Sequence, residues 1–317
     1  VRKGKEAQRK SMVLLKNEST LPIQGAKNIA LLGVTSYDFI AGGTGSGDVN
    51  EAYTVSLEEG LKNAGFEINS TARTIFEEHK AANAEAFVKP EGFNAMFQPY
   101  DPPEVAFTSE QLEQIAASAD IGIVTIGRNS GEGGDRVVQD DFLLSEIEQN
   151  MVANVCEAFH AVGKQVVVVL NIGGVIETAS WKEQPDAILL AWQGGQEGGN
   201  SAADILSGKV NPSGRLPMTF PIRLEDHASH ANFPQDGEPM NFSSLLFGQN
   251  EKPEAEQVKN KDYTLYEEGV YVGYRHFDRA RLFVSYPFGY GLSYTNFAFE
   301  KAEVDRKSTR LNSSHYS

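Results

Sequence analysis

Cysteine is almost absent from this chain, which has 317 residues and a single thiol at Cys156. One cysteine can form neither an intramolecular disulfide nor a thiolate metal cluster. Long apolar runs are missing too. The longest, at 166–170 and 187–192, are far shorter than the roughly 20 residues that a bilayer-spanning helix needs. These absences exclude a disulfide scaffold and a membrane-spanning protein.

Positive charge is also scarce. The chain has 28 Lys and Arg against 43 Asp and Glu, which gives a formal net charge of -15. A surface of this sign repels both a phosphate backbone and an anionic lipid surface. The composition therefore predicts neither a nucleic-acid partner nor a membrane partner, and it carries no signal for a cellular compartment.

The usual signatures of cofactor and metal sites are missing as well. The glycine-rich run 42–48 has Asp48 where a dinucleotide-binding fingerprint needs its third glycine, and it lacks the lysine of a Walker loop. The six histidines show no paired metal-ligand spacing, and no serine stands in a nucleophile-elbow pattern. We therefore expect no cofactor and no metal, and we disfavour a flavodoxin-like nucleotide binder.

The sequence does contain short apolar runs that alternate with helical patterns. The runs lie at 28–34, 121–126, 166–170 and 187–192. Continuous apolar strands are typical of a parallel sheet that is buried on both faces, because an alternating pattern would leave one face polar. The sequence therefore predicts an α/β fold, a three-layer sandwich with a mostly parallel β-sheet flanked by helices.

In such a sheet, ligands bind beyond the carboxyl ends of the strands, so the loops at that edge are the candidate site. The loop 42–48 carries Ser46 between two glycines. Its hydroxyl suits a hydrogen bond to a neutral polyhydroxyl ligand. A tight turn stabilised by Asp48 is an equal alternative for this loop.

A second loop, 128–136, holds Glu132 between glycines. A glycoside hydrolase uses two carboxyl groups across the scissile bond, and the one that donates a proton needs a raised pKa. Glu132 has the chemistry of that donor. A solvated glutamate paired with Arg128 or Arg136 is the alternative that the loop leaves open.

Five motifs together resemble a known family. They are SMVLLKNE at 11–18, GGTGSGD at 42–48, SGEGGDR at 130–136, GKVNPSGRLP at 208–217 and FGYGLSY at 288–294. In this order and at these intervals they closely resemble the second domain of family 3 glycoside hydrolases, the β-glucosidase family. The resemblance covers nearly all of residues 8–300.

The resemblance implies an (α/β)6-sandwich domain that packs against a TIM-barrel domain and completes the sugar site at their junction. It implies that Glu132 is the acid/base of a retaining double displacement whose nucleophilic aspartate lies on the barrel. It further implies that Ser46 binds the glycone. Because this chain has no barrel, we expect it to be a fragment that lacks its nucleophile and is inactive alone.

These motifs also suggest boundaries. We expect a segment entering from the missing TIM-barrel domain at 1–17 and the α/β sandwich domain at 18–295. The sandwich would carry an insertion at 67–107 and an acidic surface loop at 225–262. We also expect the start of a truncated fibronectin III-like domain at 296–304 and an adaptor-derived tail at 305–317.

Our functional hypothesis is a fragment of a retaining β-glycosidase that hydrolyses terminal β-linked sugars from glucosides or oligosaccharides, with β-glucosidase favoured. The alternatives are a non-catalytic carbohydrate-binding or interaction module, and a β-xylosidase of the same family. Phe93, Phe97 and Tyr100 are candidates for stacking on the aglycone. A hydrophobic clasp that pins the inserted loop is the alternative role for these three aromatic residues.

Overall fold

The computed structural model describes residues 2–47, 49, 51–89, 100–130, 136–230, 266–298 and 300 of the chain. Within these residues a six-stranded sheet forms the centre of the molecule. Its strands are β1 (Val13–Asn17), β2 (Asn28–Leu32), β3 (Glu67–Ile68), β4 (Ile121–Arg128), β5 (Val166–Ile172) and β6 (Ala187–Leu190).

The strand order across the sheet is β1-β6-β5-β4-β2-β3. Every neighbouring pair is parallel except β1 and β6, which are antiparallel. All seven residues of β5 are buried, as a strand covered on both faces requires. The prediction of a mostly parallel sheet is therefore confirmed.

Helices cover both faces of the sheet. They are α1 (Arg2–Ser11), α2 (Leu57–Asn63), α3 (Ser70–Ala82), α4 (Ser109–Ser118), α5 (Glu146–Ala161) and α6 (Gly198–Leu206). Side chains of α3, α4 and α5 pack on one face together with Val166 and Val168. Side chains of α2 and α6 pack on the other face with Val167 and Val169. This alternation confirms the three-layer sandwich.

Local capping chemistry sets where the helices begin. The pattern 57–64 predicts α2 closely, and Ser56 and Glu59 form a reciprocal capping box at its start. Within the insertion, the sequence pattern predicts a helix at about 75–87. The helix α3 instead runs from Ser70 to Ala82, because the Asn69 side chain accepts the N–H of Ala72 at its start. The sequence pattern predicts a further helix over 143–161, and the capping box of Ser145 places the first residue of α5 at Glu146.

The last described part of the chain returns to the edge of the sheet. A short pair of strands, β7 (Phe220–Pro221) and β8 (Val284–Tyr286), flanks helix α7 (Tyr274–Ala280). Leu292 then forms a bridge to Leu14 of β1. The aromatic motif 288–294 thus packs against the edge strand.

The expected boundaries relate to these elements as follows. Strand β1 lies within the segment 1–17 that we expected to enter from another domain. The acidic loop 225–262 is described only as far as residue 230, and 305–317 lies outside the described residues. The domain boundaries stay predictions. Across the residues that can be described, no helix has both the length and the apolar character needed to span a membrane.

Candidate functional site

The candidate site lies at the carboxyl ends of the parallel strands β2, β4, β5 and β6. We call the segment after β2, residues 33–47, the first loop. The second loop follows β4, where 129–130 and 136–137 are described, and the third loop is 191–197 after β6. Parallel strands in this register bring the three loops together.

The first and second loops are joined by a backbone hydrogen bond. The N–H of Thr44 donates to the carbonyl oxygen of Ser130 at 3.0 Å. Gly43 allows this approach, since a Cβ at that position would lie 2.1 Å from the same carbonyl oxygen. A glycine at position 43 is therefore needed for the contact between the first and second loops.

Gln193 joins the second loop to the third. Its Nε2 donates to Oδ1 of Asn129 at 3.0 Å, and its Oε1 accepts the hydroxyl of Ser130 at 3.4 Å. Oδ1 of Asn129 also accepts the N–H of Ser130 at 2.8 Å. The third loop returns to the first through the N–H of Gly195, which donates to the carbonyl oxygen of Ala41 at 2.7 Å.

Arg128, at the end of β4, anchors the start of the second loop to helix α5 and to the segment before it. It forms an ion pair with Glu148 of α5 in which Nη2 lies 2.5 Å from Oε2. Its Nε also donates to the carbonyl oxygen of Asp141 at 2.9 Å. Burial opposes the charge of Arg128, but the hydrogen bond and negative charge of Glu148 outweigh that cost and raise its pKa. The guanidinium therefore remains charged.

A second arginine, Arg136, spans the ends of the loop segment that carries Glu132. Its Nη1 donates to the carbonyl oxygen of Asn129 at 3.2 Å and pairs with Oδ1 of Asp141. Asp141 also accepts the N–H of Val137 at 3.0 Å. Asn129 and Arg136, on either side of 131–135, are thus in direct contact.

The predicted site residues are described to different extents. Ser46 belongs to a short 3-10 turn, Gly45–Gly47, two residues beyond the Thr44 contact. Glu132 lies in 131–135, outside the described residues. Both roles stay predictions. The predicted pairing of a loop glutamate with Arg128 or Arg136 likewise stays untested, although both arginines already bind other carboxylates.

Of the three aromatic candidates, Phe93 and Phe97 lie outside the described residues. Tyr100 donates its hydroxyl to Oδ2 of Asp38 in the first loop at 2.5 Å. Lys89 lies 3.6 Å from the other carboxylate oxygen of Asp38. One aspartate of the first loop thus contacts both described residues that flank 90–99.

Sequence reasoning missed one carboxyl group at this edge of the sheet. Oε1 of Glu104 accepts the N–H of Val34 at 2.9 Å and the N–H of Val105 at 2.8 Å. Burial raises the pKa of Glu104 to about 7, with a further contribution from the negative charge of Glu148 and opposition from its backbone hydrogen bonds. No sequence motif marks Glu104, because it lies in the insertion 67–107 rather than in a glycine-rich loop.

The carboxylate of Glu197 in the third loop is held by hydrogen bonds and an ion pair from neighbouring side chains. Its carboxylate accepts the hydroxyl of Tyr53 at 2.8 Å and Nδ2 of Asn200 at 2.9 Å, and Lys5 lies 3.8 Å away. Burial works against ionisation, yet these donors and the charge of Lys5 lower the pKa of Glu197. In the described ranges no group of three or more His, Cys, Asp or Glu side chains is arranged to hold a metal ion.

Comparison with known proteins agrees with this architecture. Beta-glucosidase A of Butyrivibrio fibrisolvens is 38% identical over 95% of this chain, which spans 35% of that protein. A beta-glucosidase of Ruminococcus albus is 31% identical over 93% of the chain, which spans 28% of it. The structure of beta-glucosidase 3B from Thermotoga neapolitana in complex with glucose superposes with a TM-score of 0.77, at 36% identity over 92% of this chain and 38% of that one.

The chain thus spans about a third of the length of the relatives that it matches. The family model described as the Glycosyl hydrolase family 3 C-terminal domain matches residues 12–274. This chain therefore belongs to glycosyl hydrolase family 3, as a C-terminal domain of that family.

Proposed function

We propose that this chain is the sandwich part of a retaining β-glucosidase that releases terminal glucose from β-glucosides or β-linked oligosaccharides. The family membership and the names of its relatives support this activity. The observation that carries the proposal is the hydrogen bond between Thr44 and Ser130. Ser46 and Glu132 each follow one of its partners by two residues, so the bond joins the two loops on which both predicted site residues lie.

In the proposed reaction, Glu132 acts first as an acid and then as a base. It donates its proton to the glycosidic oxygen while a carboxylate nucleophile attacks the anomeric carbon, so the bond to the alcohol breaks as the glycosyl-enzyme bond forms. Glu132 then takes a proton from water, whose oxygen displaces the carboxylate and releases the sugar. Ser46 donates a hydrogen bond to a hydroxyl of the glycone.

The nucleophile, on this proposal, is an aspartate of a TIM-barrel domain outside this chain. Without that group the covalent step cannot occur, because a single carboxyl group cannot both protonate the leaving oxygen and attack the opposite face of the sugar. We therefore expect the chain alone to be inactive. The barrel and a β-glucoside substrate are its proposed partners, and no cofactor enters the reaction.

The test is a chimera in which this chain replaces the matching part of Beta-glucosidase A from Butyrivibrio fibrisolvens. We expect the chimera to hydrolyse an aryl β-glucoside and the isolated chain to be inactive. Glu132→Ala should lower kcat of the chimera about 10²–10⁴-fold. Azide, which attacks the glycosyl-enzyme without needing a base, should restore part of the loss.

The matched control is Glu113→Ala, at an exposed position on α4 outside the three loops. It should leave kcat unchanged. Unchanged turnover in Glu132→Ala would refute the acid/base role. A chimera that binds glucose without hydrolysing any aryl glycoside would favour a carbohydrate-binding module, and faster hydrolysis of an aryl β-xyloside would favour a β-xylosidase.

A further inference from the structure

A buried amide side chain, that of Asn171, lies within the apolar interior of the central sheet. Asn171 lies in β5 between Leu170 and Ile172, and its solvent exposure is 0%. Burying an amide in such a place is unfavourable unless its hydrogen-bonding atoms find partners. The partners of Asn171 therefore indicate what the residue does.

The side-chain amide of Asn171 forms three hydrogen bonds to the backbone of two different loops. Its Oδ1 accepts the N–H of Ile40 at 2.7 Å, and its Nδ2 donates to the carbonyl oxygen of Ile40 at 3.0 Å. The same Nδ2 donates to the carbonyl oxygen of Trp192 at 2.8 Å. One side chain of the sheet thus pairs with the backbone of the first loop on one side and of the third loop on the other.

Both loops need such support. Trp192 has a φ of 57°, a left-handed conformation that is costly for a residue with a Cβ. Its indole Nε1 donates to the carbonyl oxygen of Ser11 at 3.1 Å, which fixes the ring but leaves its own carbonyl to Asn171. Ile40 lies in a segment with no strand or helix assignment, so the asparagine supplies the pairing that a sheet would otherwise provide.

We propose that Asn171 is a positioning residue that fixes the first loop relative to the third and thereby holds the glycone-binding end of the first loop in place. The effect on sugar binding rests on the proposed function, whereas the loop contact does not. Asparagine suits this position because two carbonyl oxygens need donors and one N–H needs an acceptor. Aspartate at this position would place a carboxylate oxygen next to the carbonyl oxygens of Ile40 and Trp192, where a donor is needed. Leucine would leave those two oxygens and the N–H of Ile40 without their partner.

Hydrogen exchange on the 317-residue chain tests the loop contact directly. In the unmodified chain, the N–H of Ile40 should exchange as slowly as the amides of β5, despite its position in a loop. Asn171→Asp should accelerate exchange in peptides covering 37–44 and 191–197 by about tenfold or more, while peptides of β4 keep their protection. Fast exchange at Ile40 in the unmodified chain would overturn the proposal without any variant.

The matched control is Asn69→Asp, the same change at a buried asparagine that caps α3 and bonds Ser118. It should leave exchange in 37–44 and 191–197 unchanged. Equal acceleration in both variants would mean general loosening and would contradict a specific role for Asn171.

Kinetics of the chimera separate positioning from stability. Asn171→Asp should raise KM for the aryl β-glucoside about 3- to 10-fold with a smaller change in kcat, which corresponds to one or two weakened hydrogen bonds. Loss of folded enzyme alone would lower the apparent kcat and leave KM unchanged, which would contradict the proposal. If the unmodified chimera is inactive, the proposed function fails while hydrogen exchange still decides the role of Asn171.

Discussion

Arg128 and Glu148 form an ion pair between the end of β4 and the first turn of α5, with Nη2 and Oε2 2.5 Å apart. The arginine side chain is 12% exposed and the glutamate side chain is 7% exposed. Glu148 also accepts the N–H and hydroxyl of Ser145, so the same carboxylate caps α5. The pair therefore fixes the base of the second loop to the helix that packs beside it.

Removing one partner of this pair should be strongly destabilising. Glu148→Ala leaves the guanidinium of Arg128 partly buried without its carboxylate and also removes the helix cap, so we expect a loss of about 3–5 kcal/mol. Urea unfolding of the chain measures this loss. The exposed pair of Glu6 and Lys10 on α1 provides the control, and Glu6→Ala should leave the midpoint unchanged. Comparable midpoints in the two variants would contradict the prediction.

Contact between the first two loops should depend on the absence of a side chain at Gly43. In Gly43→Ala, the new Cβ would lie 2.1 Å from the carbonyl oxygen of Ser130, so the loops must separate and the Thr44 hydrogen bond must lengthen. We expect a loss of about 1–3 kcal/mol in stability and a fall of at least about tenfold in kcat/KM of the chimera. Gly47→Ala in the same loop is the control, because nothing lies within 4 Å of its added Cβ.

Arg136 should matter for the chemical step more than for substrate binding. Its guanidinium contacts Asn129 and Asp141 at once, which the single ammonium of lysine cannot reproduce with the same geometry. We expect Arg136→Lys to lower kcat of the chimera about tenfold with little change in KM. Arg223→Lys on the exposed surface should alter neither value. A rise in KM without a change in kcat would assign Arg136 to substrate binding instead.

The layers of the fold could be predicted because they depend on short-range patterns. The run from Val166 to Leu170 is apolar without interruption, which identifies a strand covered on both faces. The helical patterns that begin at Leu57 and after Thr108 predict helices that the structure starts at Leu57 and Ser109. The antiparallel edge strand β1 was not predicted. Its residues follow closely on the helix α1, and their extended form depends on tertiary pairing, with β6 on one side and with Leu292 at Leu14.

The contacts of the candidate site were harder to predict for a different reason. The loops could be identified from their glycines, but the side chains that join them come from distant parts of the chain. Asn171 reads in the sequence as one polar residue in an apolar strand, and Gln193 as an ordinary loop residue. Their roles depend on the register that brings β4, β5 and β6 together, and a single sequence does not contain that register explicitly.

The stability of the chain should depend on pH through Glu104. Because burial raises its pKa in the folded state to about 7, from an ordinary value of 4.5, the folded protein holds this proton more tightly than the unfolded chain does. The contribution is therefore unfavourable at higher pH. It begins as pH rises above about 4.5, where the unfolded carboxyl ionises, and it is complete above about 7, where the folded one ionises as well.

Glu104→Gln removes this titration and keeps an oxygen that can accept the N–H groups of Val34 and Val105. Near pH 5 the variant and the unmodified chain should differ little, whereas at pH 8 the variant should gain about 3 kcal/mol relative to the unmodified chain, since ionising the buried carboxyl costs roughly 1.4 kcal/mol for each unit by which its pKa is raised. Urea unfolding of both proteins at the two pH values gives the difference directly. Glu113→Gln, at an exposed position on α4, should show no such divergence. If Glu104→Gln tracks the unmodified chain at both pH values, the carboxyl titrates alike in the folded and unfolded states and its burial has no energetic consequence.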